Sequence, residues 1–411
     1  MKKAIEFIGA LNYWSVIILP FAMLISTGLM NTFIVLVIIS FLLGKILKKE
    51  PPAAGGAILL FLLFIIAALA SFHNSVDYRA SIKGIEKLLK YGFLLWACSG
   101  SIRDEKHLKR VAVSIAFSVS LTGLNAAWQF VSGSDFIRGN ALRSCSIHLS
   151  RATASFSSPN SMGIYLAVLT PFLCGLGFFF LKGWKKLFMI IAAACGAAGI
   201  LMTFSGGAAI GFFTAVLFLA LVRRHKVILI CILAILLATP FIIPRNLKDW
   251  ARQVNYNPVV FVCSPQRITL YATAWNMIRH HPVTGVGINT FSKNYSNYKL
   301  AEMEKYAATP DGMYGHNNFL HLTAETGFLG LGIFLGFLFM LFRGAWRRYL
   351  ALEDDFLKIS ALSLIACVIA FLVNGLTETS LFNQIGASFW FVAGLLLSLN
   401  NFSVKKEIAE R

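Results

Sequence analysis

Charged residues are scarce in this chain of 411 residues, of which Asp, Glu, Lys and Arg together make up 13%. Soluble globular domains average about 25%. Hydrophobic residues make up 57%, and the mean hydropathy is +0.71. These values exclude a soluble globular protein and predict an all-α integral membrane protein that crosses the bilayer many times.

Acidic residues are especially few, with 18 Asp and Glu against 37 Lys and Arg, for a formal net charge of +19. More than half of the basic residues fall on alternate sides of successive apolar stretches, most of them in short loops. The positive-inside rule then places those loops and both termini in the cytoplasm. Topology therefore explains much of the charge, and no argument for nucleic-acid binding is left.

Several catalytic signatures are also missing. The chain has no Asp-x-Asp motif, no His/Cys cluster at metal-ligand spacing and no Gly-x4-Gly-Lys-Ser/Thr loop. We therefore expect no metal and no other cofactor. No small-residue cleavage site follows the first apolar stretch, so this stretch is predicted to be a retained anchor and not a cleaved signal.

The chain has twelve apolar stretches, most of them near the ~20 residues that a helix needs to cross the bilayer, with the second and fourth shorter. They cover roughly residues 13–30, 31–44, 55–71, 87–100, 111–131, 160–181, 184–203, 207–222, 226–243, 317–342, 357–376 and 384–400. The predicted organisation is nine spans with short loops over 1–243, a periplasmic loop region over 244–315, and three spans with a cytoplasmic tail over 316–411.

The long region 244–315 contains a predicted amphipathic helix. Ser264 and Pro265 form a helix start, and an apolar face follows at helical spacing. Its residues are Ile268, Tyr271, Trp275 and Ile278. We expect this helix to lie on the membrane surface or to cap the bundle. Arg267 falls in its first turn, where a bound anion would relieve the conflict with the helix dipole; an ordinary solvated arginine is the alternative.

Three arginines of the predicted outer face lie among polar residues, away from the ends of the spans: Arg143, Arg151 and Arg267. The planar fork of arginine matches phosphate oxygens bidentately. This cluster therefore indicates a phosphate or diphosphate ligand. The external lysines within residues 83–90 are better explained by snorkelling toward lipid headgroups.

A histidine and a carboxylate mark the start of the tenth span. Asn317 or Asn318 can cap this helix, which leaves His316 at the membrane boundary as a group able to move protons near neutral pH. Asn318, His321 and Glu325 share one helix face, whereas His316 would lie opposite Glu325, so we expect no direct pair. Glu325 should be buried and paired with a donor on a neighbouring helix or an arginine. A histidine bonded only to backbone is the alternative for His316.

Two of the seven cysteines, Cys145 and Cys263, lie in predicted external loops. An oxidising compartment would favour a disulfide there, and we hypothesise this bond, with two unrelated thiols as the alternative. The other cysteines lie in apolar spans and are predicted to be small core residues. They are Cys98, Cys174, Cys195, Cys231 and Cys367.

Four motifs follow one another on the predicted outer face. They are Arg151-x4-Phe156-x2-Pro159-Asn160, Thr203-Phe-Ser205-Gly-Gly-Ala208, Arg267-x7-Trp275 with Pro282-x2-Gly285-x-Gly287, and His316-Asn-Asn-x-Leu320-x4-Glu325-x-Gly327. In this order and topology the chain resembles the O-antigen ligase and polymerase superfamily over nearly its whole length. The number of spans and the one long loop are similar to its ligase branch.

The resemblance implies a GT-C-like, metal-independent glycosyltransferase of lipopolysaccharide biosynthesis. It would transfer a polysaccharide from undecaprenyl diphosphate to lipid A–core at the periplasmic face of the bacterial inner membrane. By the same resemblance His316 corresponds to the proposed catalytic histidine and Arg267 to the essential loop arginine. The implied substrate-binding positions are Arg143, Arg151, Asn160, Ser205, Asn318 and Glu325.

One position departs from the family pattern. Where the family usually has Ser-Arg-Gly, this chain has Ser205-Gly206-Gly207. The arginine of the family pattern is expected to contact the diphosphate of the donor. Either Arg143 or Arg151 then makes this contact instead, or the donor differs.

Two other functions remain open from the sequence. An O-antigen polymerase would share the donor and the histidine motif but would extend a lipid-linked chain. A secondary transporter would explain twelve spans, but it predicts repeated halves and charged midplane helices, which the sequence does not display.

Overall fold

The computed structural model describes residues 1–50, 56–144, 150–242, 265–303 and 313–402, together with residues 249 and 252. Its helices are α1 (Lys2–Ile25), α2 (Thr27–Lys48), α3 (Gly56–Ala70), α4 (Tyr78–Ser101), α5 (Glu105–Ser132), α6 (Pro159–Phe179), α7 (Gly183–Met202), α8 (Gly206–Val222), α9 (Lys226–Ile242), α10 (Pro265–His280), α11 (Phe291–Tyr298), α12 (Asn318–Ala351), α13 (Asp355–Asn374) and α14 (Gly386–Ser398). Two short strands, β1 (Arg143–Ser144) and β2 (Ser150–Arg151), pair antiparallel. The fold is therefore all-α apart from this small pair.

Eight helices of the described chain are long and apolar enough to cross a membrane. They are α1, α2, α3 with the 3-10 turn after it, α5, α6, α7, α12 and α13. This agrees with an integral membrane protein. The other four predicted spans lie in α4, α8, α9 and α14, which are helical but too charged or too short to join the eight, so the number twelve stays a prediction.

The centre of the bundle is formed by α6 and α13, which pack against each other. In their most apolar windows 89% and 78% of the residues are buried, whereas the value for α2 is 28%. Both central helices are uncharged along almost their whole length, so they can be enclosed by other helices without leaving unpaired charges. The ends of these two helices therefore have fixed positions, and the polar site described below lies there.

Helix α10 begins at Pro265, where the sequence predicted a helix start, but its buried face differs from the predicted one. Leu270, Ala274 and Met277 are fully buried, whereas Trp275 is exposed. These buried residues form a small separate core with α11 and the first turns of α12. The helix packs against α12 and α11, and these contacts bury its apolar face.

Helix α12 is interrupted at Gly327, whose φ of 67° and ψ of −175° are not helical. A turn over residues 282–287 replaces the backbone partners that the break removes. The N–H groups of residues 328 and 329 donate to carbonyls of the turn's first two residues, at 2.8 and 3.3 Å. The carbonyls of residues 324 and 325 accept from the turn's last two N–H groups, at 2.9 and 3.1 Å.

Both sides of this contact require glycine. A Cβ on Gly327 would lie 2.0 Å from the carbonyl oxygen of Val283, and one on Gly285 would lie 2.3 Å from the carbonyl carbon of Glu325. Both glycines also have a positive φ, which side chains rarely adopt. Two motifs that are some forty residues apart in the sequence thus form one interlocked backbone unit.

We predict that Gly327→Ala lowers the melting temperature of the detergent-purified protein, because the new Cβ displaces the docked turn and strains φ. A strained backbone position of this kind costs about 1–3 kcal/mol. The matched control is Gly332→Ala in the same helix, where an added Cβ meets nothing within 4 Å. Equal melting temperatures for the two variants would contradict this account of the break.

Candidate functional site

One carboxylate, Glu378, is the shared partner of several polar side chains at the end of the bundle where α6, α8 and α12 begin. It lies in the Glu378 loop, residues 375–385 between α13 and α14, and its side chain is 11% exposed. Its Oε1 accepts from Arg267 Nη2 at 3.0 Å and from Asn160 Nδ2. Its Oε2 lies 3.1 Å from His316 Nδ1. Three motifs that are distant in the sequence therefore meet on one acidic group.

Arg151 joins this cluster through Asn160. Its Nη2 donates to Asn160 Oδ1 at 2.7 Å, and its Nε donates to the carbonyl of Thr203 at 2.7 Å. Asn160 thus accepts from Arg151 with one amide atom and donates to Glu378 with the other, which fixes its orientation. Because Thr203 is the C-cap of α7, Arg151 also compensates the negative end of that helix.

Several helix N-termini converge on the cluster. Asn160 is the second residue of α6, Arg267 the third of α10, and His316 directly precedes Asn317, the N-cap of α12. Gly207, at the start of α8, faces the Glu378 loop at Thr377. Helix N-termini carry unpaired N–H groups and partial positive charge. With the two arginines they make this a place that favours anions.

His316 has a backbone conformation that is unusual for its residue type, with a φ of 44°. The hydroxyl of Tyr271, from α10, donates to the carbonyls of His316 and Leu376, at 3.1 Å each. Asn317 caps α12 by accepting from the next two N–H groups of the helix, at 2.9 and 3.0 Å. Of the two predicted caps, Asn317 is therefore the one used, and His316 is held by Tyr271 at its carbonyl and by Glu378 at its ring.

The contact with Glu378 decides which ring nitrogen of His316 carries hydrogen. In a neutral imidazole one nitrogen donates and the other accepts, so a ring whose Nδ1 donates to the carboxylate keeps the lone pair on Nε2. Among the residues that the structure describes, no hydrogen bond to Nε2 is present. His316 is thus arranged as a base whose partner comes from outside these residues. As the sequence predicted, it makes no pair with Glu325.

Glu325 is buried, as expected, and its Oε1 accepts from the N–H of Phe291, in the neighbouring helix α11, at 3.0 Å. Its side-chain partner is His321, one turn earlier in α12, with Nε2 3.4 Å from Oε1. The expected donor on a neighbouring helix is therefore a backbone group, and the sequence analysis missed the contact with His321. The bond from the N–H of Phe291 to Glu325 ties α11 to α12.

Asn318 holds the Glu378 loop against the start of α12. Its Oδ1 accepts from the N–H groups of Ser380 and Leu381, at 2.7 and 3.0 Å, and its own N–H donates to the carbonyl of Gly375 at 2.7 Å. Its side chain does not contact Glu378 itself. The structure thus gives Asn318 a role in placing the carboxylate.

Ser205 is the N-cap of α8, and its N–H donates to Thr203 Oγ1 at 3.1 Å, next to the carbonyl that Arg151 contacts. The position that departs from the family pattern, Gly206, has open space around it, because a Cβ there would meet nothing within 4 Å. Arg143 lies opposite Arg151 in the strand pair and is exposed. Of the two arginines proposed as replacements, Arg151 is the one in the cluster.

The cysteine predictions have mixed outcomes. Cys145 and Cys263 lie outside the described residues, so the proposed disulfide stays a prediction. Among the five cysteines of the spans, Cys98, Cys174 and Cys367 are buried as predicted. The prediction is wrong for Cys231, which is exposed on α9.

Glu378 is the residue of this candidate site that the sequence analysis missed. A signal was present, because Glu378 is a carboxylate between two apolar stretches, and charge close to membrane spans is a functional hypothesis by default. No local spacing connects it with its partners, which lie 111 and 62 residues away for Arg267 and His316.

The fold and the cluster define an integral membrane protein with a cation-rich, anion-favouring site at one end of its helix bundle. Residues 191–335 match the family model described as O-antigen ligase. The match supports the chain as a member of the O-antigen ligase and polymerase superfamily. It includes Arg267 and His316, whereas Arg151 and Glu378 lie outside it. A search of the curated proteins found no match.

We predict that Asn318→Ala destabilises the protein, because it leaves two buried N–H groups of the Glu378 loop without an acceptor. Each such group costs roughly 1–3 kcal/mol. Asn318→Asp keeps an accepting oxygen and should melt closer to wild type. Asn297→Ala, on the exposed side of α11, is the control. If Asn318→Ala and this control had the same melting temperature, the role of Asn318 in holding the loop would be contradicted.

Proposed function

We propose that this protein is an O-antigen ligase. It transfers a glycan from undecaprenyl diphosphate to the lipid A–core oligosaccharide at the periplasmic face of the bacterial inner membrane. The observation that carries the proposal is the joint contact of His316 and Arg267 with Glu378. This contact places an oriented base beside a cation at converging helix N-termini, and glycosyl transfer from a diphosphate needs both.

In the proposed reaction a hydroxyl oxygen of the acceptor bonds to the anomeric carbon of the donor glycan. The bond from that carbon to the diphosphate oxygen breaks, and its electron pair leaves with the diphosphate. The hydroxyl proton passes to His316 Nε2. Glu378 keeps the ring in the correct tautomer through Nδ1 and stabilises the imidazolium that forms, as a carboxylate does for a catalytic histidine in other enzymes.

The departing diphosphate gains negative charge and needs fixed positive groups near it. Arg267 and Arg151 supply two guanidinium groups, and the N-termini of α6, α8, α10 and α12 add partial positive charge. The open space at Gly206 lets a phosphate approach the first N–H groups of α8. These groups provide the positive charge within the protein, so we propose a metal-independent, GT-C-like reaction in which the leaving diphosphate supplies the driving force.

We predict that His316→Ala reduces transfer roughly 10²–10⁴-fold, the usual contribution of a general base, while binding of the lipid-linked donor stays close to wild type. Arg267→Ala should instead weaken donor binding or leaving-group stabilisation. Arg267→Lys should restore little, because an ammonium cannot replace a bidentate fork. Transfer is measured with purified protein, and donor binding is measured separately. Near-wild-type transfer by His316→Ala would remove the proposed mechanism.

The choice of acceptor separates ligase from polymerase. Purified protein is given a lipid-linked O-antigen donor and two acceptors, lipid A–core and a second lipid-linked repeat, without any ion gradient. We expect product on lipid A–core alone. Lengthening of the lipid-linked chain would establish an O-antigen polymerase. The absence of any covalent product here, together with gradient-driven movement of substrate in a separate liposome assay, would establish a transporter.

A further inference from the structure

A second space, with both polar and apolar groups in its walls, lies beside the Glu378 loop. This cavity of about 130 Å³ opens between α4, α12 and the loop, and Lys87, Asn289, Tyr314 and Thr379 are among its lining residues. Four side chains of the cluster carry the proposed chemistry, and none of them lines this cavity. They are Arg151, Arg267, His316 and Glu378. The cavity is therefore a separate compartment.

The two compartments meet at His316. Within the Glu378 loop, Glu378 faces the cluster and the next residue, Thr379, faces the cavity. His316 stands in the chain between Tyr314 and Asn318, which both line the cavity, while its ring contacts Glu378 on the cluster side. A molecule in the cavity thus lies next to the turn that carries the proposed base.

The lining of the cavity suits a sugar ring. Thr379 Oγ1 is buried and has no hydrogen-bond partner among the described residues. A buried hydroxyl of this kind is normally satisfied by water or a ligand. Lys87 Nζ donates to Asn289 Oδ1 at 3.0 Å, and both groups have further hydrogen-bonding capacity. Tyr314 is 54% exposed and offers an aromatic face, onto which the C–H side of a sugar can pack.

His321, the histidine that lines the cavity, is not a second base. His321 Nδ1 accepts from the N–H of Gly315 at 3.4 Å, and its Nε2 contacts Glu325 Oε1 at 3.4 Å. Both ring nitrogens are therefore occupied, and the ring holds the Tyr314–His316 turn in place. Any proton transfer to a molecule in the cavity then falls to His316.

We propose that this cavity binds a sugar ring of the acceptor and presents one of its hydroxyl groups to His316. The inference rests on the proposed function, in which the donor diphosphate occupies the cluster side. The cavity is a poor place for that diphosphate, because the buried carboxylate of Glu325 forms part of its wall and no arginine lines it. The acceptor, which brings hydroxyl groups and no leaving diphosphate, fits it better.

Direct binding tests the proposal without depending on catalysis. Saturation-transfer NMR is recorded on the full-length purified protein with two soluble probes, delipidated core oligosaccharide and a free O-antigen repeat. Wild type should bind the core probe, and Thr379→Val and Tyr314→Ala should lose that signal. Thr214→Val, which removes a hydroxyl from the far part of α8, is the isosteric control and should keep it.

The same variants are assayed for transfer. Thr379→Val should raise the KM for lipid A–core roughly five-fold, the effect of one lost hydrogen bond, while the KM for the donor and kcat stay close to wild type. Unchanged probe binding and unchanged acceptor KM in both cavity variants would overturn the cavity assignment and leave the ligase proposal intact.

The opposite failure is recognisable as well. In one such outcome, wild type binds either probe, both cavity variants lose that binding, and no transfer to lipid A–core occurs. This result would support the sugar site and refute the ligase proposal. Binding of the free repeat alone would support the cavity with a lipid-linked chain as the acceptor. The absence of binding of either probe by wild type would refute the cavity proposal.

Discussion

The shared contact of Glu378 with Arg267 and His316 is the interaction on which the rest of the site depends. A buried carboxylate is costly unless it is paired and hydrogen-bonded, and Glu378 obtains its partners from α6, α10 and the turn before α12. The dependence is mutual, because two guanidinium groups and several helix N-termini would repel one another without a negative charge between them. Removing the carboxylate of Glu378 would therefore disturb all of these elements together.

The interlocked break in α12 gives this arrangement its geometry. Irregular backbone at the depth of a membrane is tolerated only where protein groups replace the lost hydrogen bonds, and here the turn at 282–287 does so. Because that turn follows α10 directly, docking it at Gly327 fixes the end of α10 against α12. The other end of α10 carries Arg267 to within reach of the carboxylate that also contacts His316.

Local rules predicted the parts of the site that depend on neighbouring residues. The capping role of Asn317, the start of α10 at Pro265 and the position of His316 at a helix boundary all follow from short-range chemistry. Glu378 could not be found in this way, because its pairing is long-range. The exposure of Cys231 and Trp275 could not be predicted either. In a membrane protein apolar side chains face both the lipid and the protein core, and hydrophobicity alone does not separate lipid-facing from core residues.

The division of the site by one short loop has a chemical consequence under the proposed function. A lipid-linked diphosphate donor reacts with any hydroxyl that an adjacent base activates, and water is the commonest competitor. With an oriented histidine beside a small, partly enclosed cavity, a sugar hydroxyl can take the position that water would otherwise take, and excluding water suppresses hydrolysis. Because adjacent residues of the same loop line the cavity and orient the base, a sugar in the cavity contacts the segment that fixes His316. Selectivity for the acceptor and alignment of the base thus depend on the same few residues.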